Sequence, residues 1–139
     1  MKFSKQKIGM VGSGSWATAM IKMLGDNTVE KEILWWIRKE EDLQYVKAYG
    51  HNPSYLSAVE VHIEAENLYL DAKSVIQNSD IVILNTPSAY LKDALKNVRP
   101  KDFDGKIVVS AIKGIIPDEN LIVGEYLTEV FEISIDNIV

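Results

Sequence analysis

The sequence predicts an α/β chain, a doubly wound and mostly parallel sheet with helices on both faces. Three observations carry this. Short β-rich runs alternate with amphipathic helical patterns along the whole chain. Several of those runs are apolar on nearly every residue, as expected of strands covered on both sides. A glycine-rich turn separates the first run from the first helical pattern.

The strands expected are Ile8 to Val11, Ile33 to Ile37, Asp80 to Asn85 and Lys106 to Ala111. A weaker one is expected around Val59 to Ile63 or Asn67 to Leu70. Helical spacing runs over Ser15 to Leu24, with Ala19, Met20, Met23 and Leu24 on one side and Gly25 as a C-terminal cap. It recurs over Ala72 to Gln77, Ala89 to Val98 and Glu119 to Phe131. The last offers Val123, Leu127, Val130 and Phe131 for burial, has Pro117-Asp118 as its entry, and carries Gly124 against it.

The chain has 139 residues, 47% of them hydrophobic and 25% charged, which suits one domain spanning 1–139 with a single sizeable core. No repeat, low-complexity tract or linker divides it. The formal charge of −5 and the lack of a basic block argue against a nucleic-acid partner. No apolar run reaches membrane-spanning length, so no membrane insertion is expected. The chain contains no cysteine, which excludes disulfides, thiolate metal sites and cysteine nucleophiles. His51 and His62 stand too far apart for a metal-ligand spacing, and no metal is expected. Met1 to Lys7 carries charge without a leader-length apolar segment, so a cytoplasmic protein is expected.

In parallel sheets ligands bind beyond the carboxyl ends of the strands. That directs attention to Gly12 to Trp16, Arg38 to Glu41, Thr86 to Ser88, and Lys113-Gly114. Gly12-Ser13-Gly14-Ser15-Trp16-Ala17 fits the G-x-G-x-x-G/A pattern between a strand and a helix, the context in which it binds a dinucleotide. Gly12 permits the tight turn, Gly14 lets a pyrophosphate approach, and Ala17 lets the helix pack near the strand. Free N–H groups and the helix dipole favour the anion. The pattern makes the sheet Rossmann-type. A turn without ligand remains the bland alternative, and the missing Gly-Lys-Ser/Thr excludes a nucleotide-triphosphatase loop.

The second strand ends in Arg38-Lys39, followed by Glu40-Glu41. An arginine at this place accommodates a 2′-phosphate, which favours NADP over NAD. Arg38 could instead stack on adenine, or the cluster could simply be a solvated helix start. The pair Trp35-Trp36 reads as packing.

The ordered blocks of the chain resemble the bacterial NAD(P)-dependent glycerol-3-phosphate dehydrogenases. They are Ile8 to Ala19 with its Ser15-Trp16-Ala17-Thr18-Ala19 run, Leu34 to Arg38, Asn52-Pro53-Ser54-Tyr55-Leu56, Ser79 to Ser88 ending in Thr86-Pro87-Ser88, and Ser110 to Ile115. Ala17 stands where the family usually has glycine. The resemblance implies hydride transfer between NAD(P)H and dihydroxyacetone phosphate, giving sn-glycerol 3-phosphate for phospholipid synthesis. It implies cofactor contacts at Ser15, Trp16, Arg38 and Tyr55, and a lysine, Lys113, that reaches cofactor and substrate. From spacing alone Lys113 is an ordinary surface lysine; an ammonium at a strand tip could also stabilise a carbonyl oxygen or hold a phosphate.

The resemblance further implies a helical substrate domain after Val139, with the proton-transfer lysine in it. No catalytic residue is then expected within 1–139, and the chain is read as an N-terminal portion, inactive alone, whose full enzyme takes a small phosphorylated substrate. A homodimer is left open. The alternatives are a stand-alone dinucleotide-sensing module, or the cofactor domain of a related dehydrogenase with another substrate.

Overall fold

The computed structural model describes residues 5–27 and 31–139. Of the amino-terminal stretch read for a leader, Met1 to Ser4 lie outside the described residues. The elements in chain order are β1 (Gln6–Val11), α1 (Ser15–Asn27), β2 (Lys31–Trp36), α2 (Glu40–Tyr49), β3 (Leu68–Tyr69), α3 (Ala72–Gln77) and β4 (Ile81–Leu84). They continue with α4 (Ser88–Ala94), β5 (Ile107–Ser110), β6 (Ile115–Ile116), β7 (Leu121–Ile122) and α5 (Val123–Phe131).

Five strands form one parallel sheet in the order β3-β2-β1-β4-β5. The chain steps outward from β1 through β2 to β3, then returns to the other side of β1 for β4 and β5. The strand order therefore reverses at β1 and β4, where such folds open a ligand crevice. At the far edge Ile138 bridges Val108 in parallel, and Val139 exchanges hydrogen bonds with Val108 and Ser110.

The alternation of side chains along the strands divides the core into two layers. Val11, Leu34, Trp36, Val82, Leu84 and Val108 pack with α3, α4 and α5. Ile8, Met10, Ile33, Trp35 and Ile83 face the opposite way and pack with α1 and α2. Both faces are covered, which is why these strands are apolar almost throughout. Trp35 is fully buried and Trp36 nearly so, as the packing reading requires. Trp36 Nε1 donates to the Leu70 carbonyl at 3.0 Å.

Several expectations need correction. Gly25 does not cap α1, which runs on to Asn27; the left-handed glycine cap is Gly50 after α2, with φ 72° and its N–H on the Val46 carbonyl. The buried face of α1 is Ala17, Thr18 and Ile21, while Met23 is 58% exposed. Helix α2 was visible only as a charge cluster, because three acidic residues fill its first turn and only Leu43 and Val46 are buried.

The segment Val59 to Ile63 makes a single bridge, Glu60 to His51, and the strand is Leu68–Tyr69. Helix α4 stops at Ala94. Pro117-Asp118 is not a helix entry but the turn of the β6–β7 hairpin. Asp118 and Asn120 adopt left-handed φ values of 68° and 56°, which interrupt any helix there and suit short polar side chains. Helix α5 thus begins at Val123, with Tyr126 in its buried face and Val130 exposed.

Away from the sheet, buried Asp102 ties α3 to the turn before β5. Its carboxylate accepts from Gln77 Nε2 (2.9 Å) and Arg99 N–H (2.8 Å), with Lys73 Nζ at 3.9 Å.

Candidate functional site

The site is built on the turn between β1 and α1. Gly12 has φ 147°, and a Cβ there would stand 2.4 Å from the Asn85 carbonyl oxygen. Only glycine lets the end of β1 approach the segment after β4 this closely. Gly14 meets the opposite situation, since a Cβ there would have nothing within 4 Å. Its missing side chain leaves a cradle open to the cleft. Ala17 is fully buried and packs with Ile21 and the sheet.

The three successive carbonyls of this turn are all held by donors from the protein. Gly12 O accepts from Trp35 Nε1 at 2.7 Å and Ser13 O from Asn52 Nδ2 at 3.1 Å. Gly14 O accepts from Thr18 N (3.0 Å) and Thr18 Oγ1 (2.8 Å). In a trans peptide the N–H points opposite to the C=O. Binding the carbonyls of residues 12, 13 and 14 on the protein side therefore turns the following N–H groups away from it. That is the arrangement of an anion-binding nest at a helix start.

Two adjoining cavities lie on either side of the turn. The smaller, about 200 Å³, is bordered by Gly14, Trp36, Arg38, Tyr55 and Tyr90. The larger, about 950 Å³, is bordered by Trp16, Met20, Tyr55, Asn85, Ile112 and Lys113. Gly14, Tyr55, Thr86 and Pro87 border both. A ligand with two arms joined by an anionic bridge matches this shape, with the bridge over Gly14. Exposed apolar atoms of Trp16 and Met23 give the larger side a surface suited to a flat ring.

The structure thus brings Gly12, Gly14, Arg38 and Tyr55 to the smaller cavity, and Gly14, Ser15, Trp16, Ala17, Tyr55 and Lys113 to the larger. Arg38 and Lys113 stand at its two ends, one after β2 and the other after β5. The Arg38 guanidinium lies 5.2 Å from the Tyr90 ring centroid. Asp42 and Asp93 also border the smaller cavity. Among the described residues no group of three or more histidine or acidic side chains could hold a metal ion. No helix among them is long and apolar enough to cross a membrane.

Sequence reasoning missed Tyr90 and Asn52. Tyr90 sits in the first turn of α4, directly after the strand tip at Thr86 to Ser88, so extending that tip by one turn would have found it. Asn52 gave a signal only as a polar residue beside Pro53 in the Asn52 to Leu56 run that resembles the family.

Residues 7–139 match the family model described as the N-terminus of NAD-dependent glycerol-3-phosphate dehydrogenase. A glycerol-3-phosphate dehydrogenase [NAD(P)+] of Ectopseudomonas mendocina is 33% identical over 125 residues, covering 90% of this chain and 36% of its own length. Its counterpart from Nitratidesulfovibrio vulgaris strain DP4 is 32% identical over 123 residues, covering 88% of this chain and 36% of itself. The chain thus spans 36% of either relative's length. The solved structure of DsGPDH from Dunaliella salina superposes with a TM-score of 0.78 at 21% identity, over 94% of this chain and 26% of that one, and shows the same fold. With the match running over nearly its whole length, the chain belongs to the family of NAD-dependent glycerol-3-phosphate dehydrogenase N-terminal domains.

Proposed function

We propose that this chain is the cofactor-holding part of an NAD(P)-dependent glycerol-3-phosphate dehydrogenase, interconverting dihydroxyacetone phosphate and sn-glycerol 3-phosphate. The observation that carries the reading is the glycine turn, its carbonyls tied back, between two cavities with a cation beside each. Gly12, Gly14 and the α1 start at Ser15 would hold the dinucleotide's pyrophosphate. Arg38 receives the adenosine end, and its positive charge favours the 2′-phosphate of NADP over NAD. Trp16, Ala17 and Tyr55 line the path to the larger cavity, which takes the nicotinamide.

The bound dihydronicotinamide supplies the hydride. Lys113 is exposed at the edge of the larger cavity, and the family resemblance gives it the contacts to cofactor and phosphorylated substrate. A positive charge there opposes the negative charge that develops on a carbonyl oxygen accepting hydride. Hydride transfer also needs the substrate held in near-attack geometry. We assign that task, with the proton-transfer lysine, to a helical domain following residue 139, so 1–139 alone binds cofactor and turns over little or nothing. Supply of sn-glycerol 3-phosphate to phospholipid synthesis and a cytoplasmic setting belong to the same reading.

Titrating the folded chain with NADPH and NADH, following tryptophan emission, tests the binding claim. Trp16 is 76% exposed at the larger cavity and reports occupancy directly. Saturable quenching is expected; no saturation with either cofactor up to millimolar concentration refutes it. For the reaction, a chain extended through the following domain should oxidise NAD(P)H with dihydroxyacetone phosphate. Failure with that substrate, in a protein that binds cofactor, assigns the domain to another dehydrogenase.

A further inference from the structure

Asn52 is a buried side chain, 2% exposed, that joins the glycine turn to the segment carrying Tyr55. Its Nδ2 donates to the Ser13 carbonyl (3.1 Å) and to Thr18 Oγ1 (3.0 Å). Its Oδ1 accepts from the N–H groups of Ser54 (3.0 Å) and Tyr55 (3.1 Å). An asparagine amide has two N–H donors and an oxygen with two lone pairs, so its whole capacity is in use. Thr18 Oγ1 directs its own hydrogen to Gly14 O at 2.8 Å, and can therefore only accept from Asn52. The neighbours fix which way the amide faces. Aspartate, the same shape, has no donor to offer when ionised.

Two consequences meet in the cleft. Holding Ser13 O toward Asn52 turns the Gly14 N–H the opposite way, because the peptide is trans. Holding the Ser54 and Tyr55 N–H groups forms a side-chain-closed turn that sets the course of the Tyr55 segment. The next residue, Leu56, has φ 51°, a left-handed conformation disfavoured for any residue with a Cβ. A segment kept in an unfavourable conformation needs surroundings that over-determine it, and the Asn52 amide is one such contact. Tyr55 borders both cavities and Gly14 is the floor between them. One side chain sets both.

We propose that Asn52 is a positioning residue for dinucleotide binding, acting through the Gly14 N–H and Tyr55, an inference that rests on the cofactor reading above. It makes no contact with the ligand itself.

The test uses Asn52→Asp, Thr18→Val and Thr18→Ser, titrated with NADPH between about pH 5 and pH 8, with melting curves in parallel. At the upper end N52D should bind about tenfold more weakly than wild type or worse, because a carboxylate faces two oxygens. Burial and the two facing oxygens disfavour the charged form, so the new carboxyl takes up a proton above the ordinary carboxylate range as pH falls, regains one donor, and the gap to wild type should close. A role in stability alone moves the melting curve but gives no such recovery of affinity in folded protein. T18V keeps the shape without the hydroxyl and should bind weakly at every pH, while T18S should bind like wild type. The T18V and T18S pair decides the question if N52D does not fold.

Folded N52D or T18V with wild-type affinity throughout, or an N52D deficit that pH does not change, overturns the proposal. Wild-type protein that binds neither NADPH nor NADH refutes the cofactor reading instead, so the two failures are distinguishable.

Discussion

Replacing Gly12 by alanine places a Cβ 2.4 Å from the Asn85 carbonyl oxygen and 2.7 Å from its carbonyl carbon. Neither atom is the end of a flexible side chain, so relief requires the β1 and β4 ends to part. They are adjacent strands at the centre of the sheet, in register at Val11 and Leu84. Beyond them Asn85 N (2.8 Å) and Thr86 Oγ1 (3.1 Å) both donate to Val11 O. A side chain at φ 147° costs about 1–3 kcal/mol and the overpacking about 1–3 kcal/mol more. Gly12→Ala should therefore lose about 3 kcal/mol, which lowers Tm by roughly 10 °C in a domain of this size.

Gly14→Ala is the paired control. With nothing within 4 Å of the added methyl, its Tm should stay within a degree or two of wild type, the effect of a surface change of about 0.5 kcal/mol or less. Its NADPH affinity should nevertheless fall about tenfold or more, since the methyl occupies the path of the pyrophosphate. Circular-dichroism melting and NADPH titration read the two effects separately. G12A melting like wild type refutes the close-approach argument. G14A binding like wild type refutes the placement of the ligand.

Two further substitutions probe charge. Arg38→Ala should weaken NADPH about tenfold and leave NADH nearly unchanged, because a hydrogen bond between ionised groups is lost only with the phosphorylated cofactor. Equal loss for both in direct titrations would make Arg38 an adenine-stacking residue. At Asp102, burial raises the carboxyl pKa, but hydrogen bonds from the Arg99 amide and Gln77, with the charges of Lys73 and Lys101, outweigh it and hold it below the ordinary carboxylate range. A lowered folded pKa contributes stability that is full above the unfolded value of about 3.9 and disappears as pH falls through the folded value. Urea denaturation of Asp102→Asn should show a loss of about 1–3 kcal/mol near neutrality that shrinks below about pH 4. A difference that stays constant into acid contradicts the assignment.

The core strands were legible because burial on both faces writes itself as unbroken apolar runs. Ala72–Gln77 matched its helix residue for residue for a different reason, since Ala72, Val75 and Ile76 recur at helical spacing on one face. The failures share a different cause. Gly25 looked like a cap, yet glycine inside a helix costs only about 1 kcal/mol and α1 continues through it. The β6–β7 hairpin was hidden because its strands are two residues each, too short for a period, and its left-handed residues are Asp118 and Asn120 instead of glycine. Helix α2 lacked a continuous apolar stripe. At the site, the glycine turn and the strand tips were legible because they sit next to readable strands. Asn52 was not, because its role depends on partners 34 and 39 residues away, at Thr18 and Ser13.

The chain carries a formal charge of −5, yet the ligand argued for it is an anion. The contradiction dissolves at the scale of the turn. Screening at physiological salt weakens surface charges farther away than about 8 Å, so the N–H groups nearest the phosphates dominate. Their direction is set during folding, when Trp35, Asn52 and Thr18 take up the carbonyls of Gly12, Ser13 and Gly14. Each of these donors is buried, comes from outside the turn, and depends on a different element: β2, the segment after α2, and α1. Little reorganisation is then left for the binding step, which is how a few oriented dipoles can outweigh a net charge of the wrong sign. It follows that weakening any of the three should cost affinity even where the fold survives, and that added salt should weaken the Arg38 contribution far more than that of the turn.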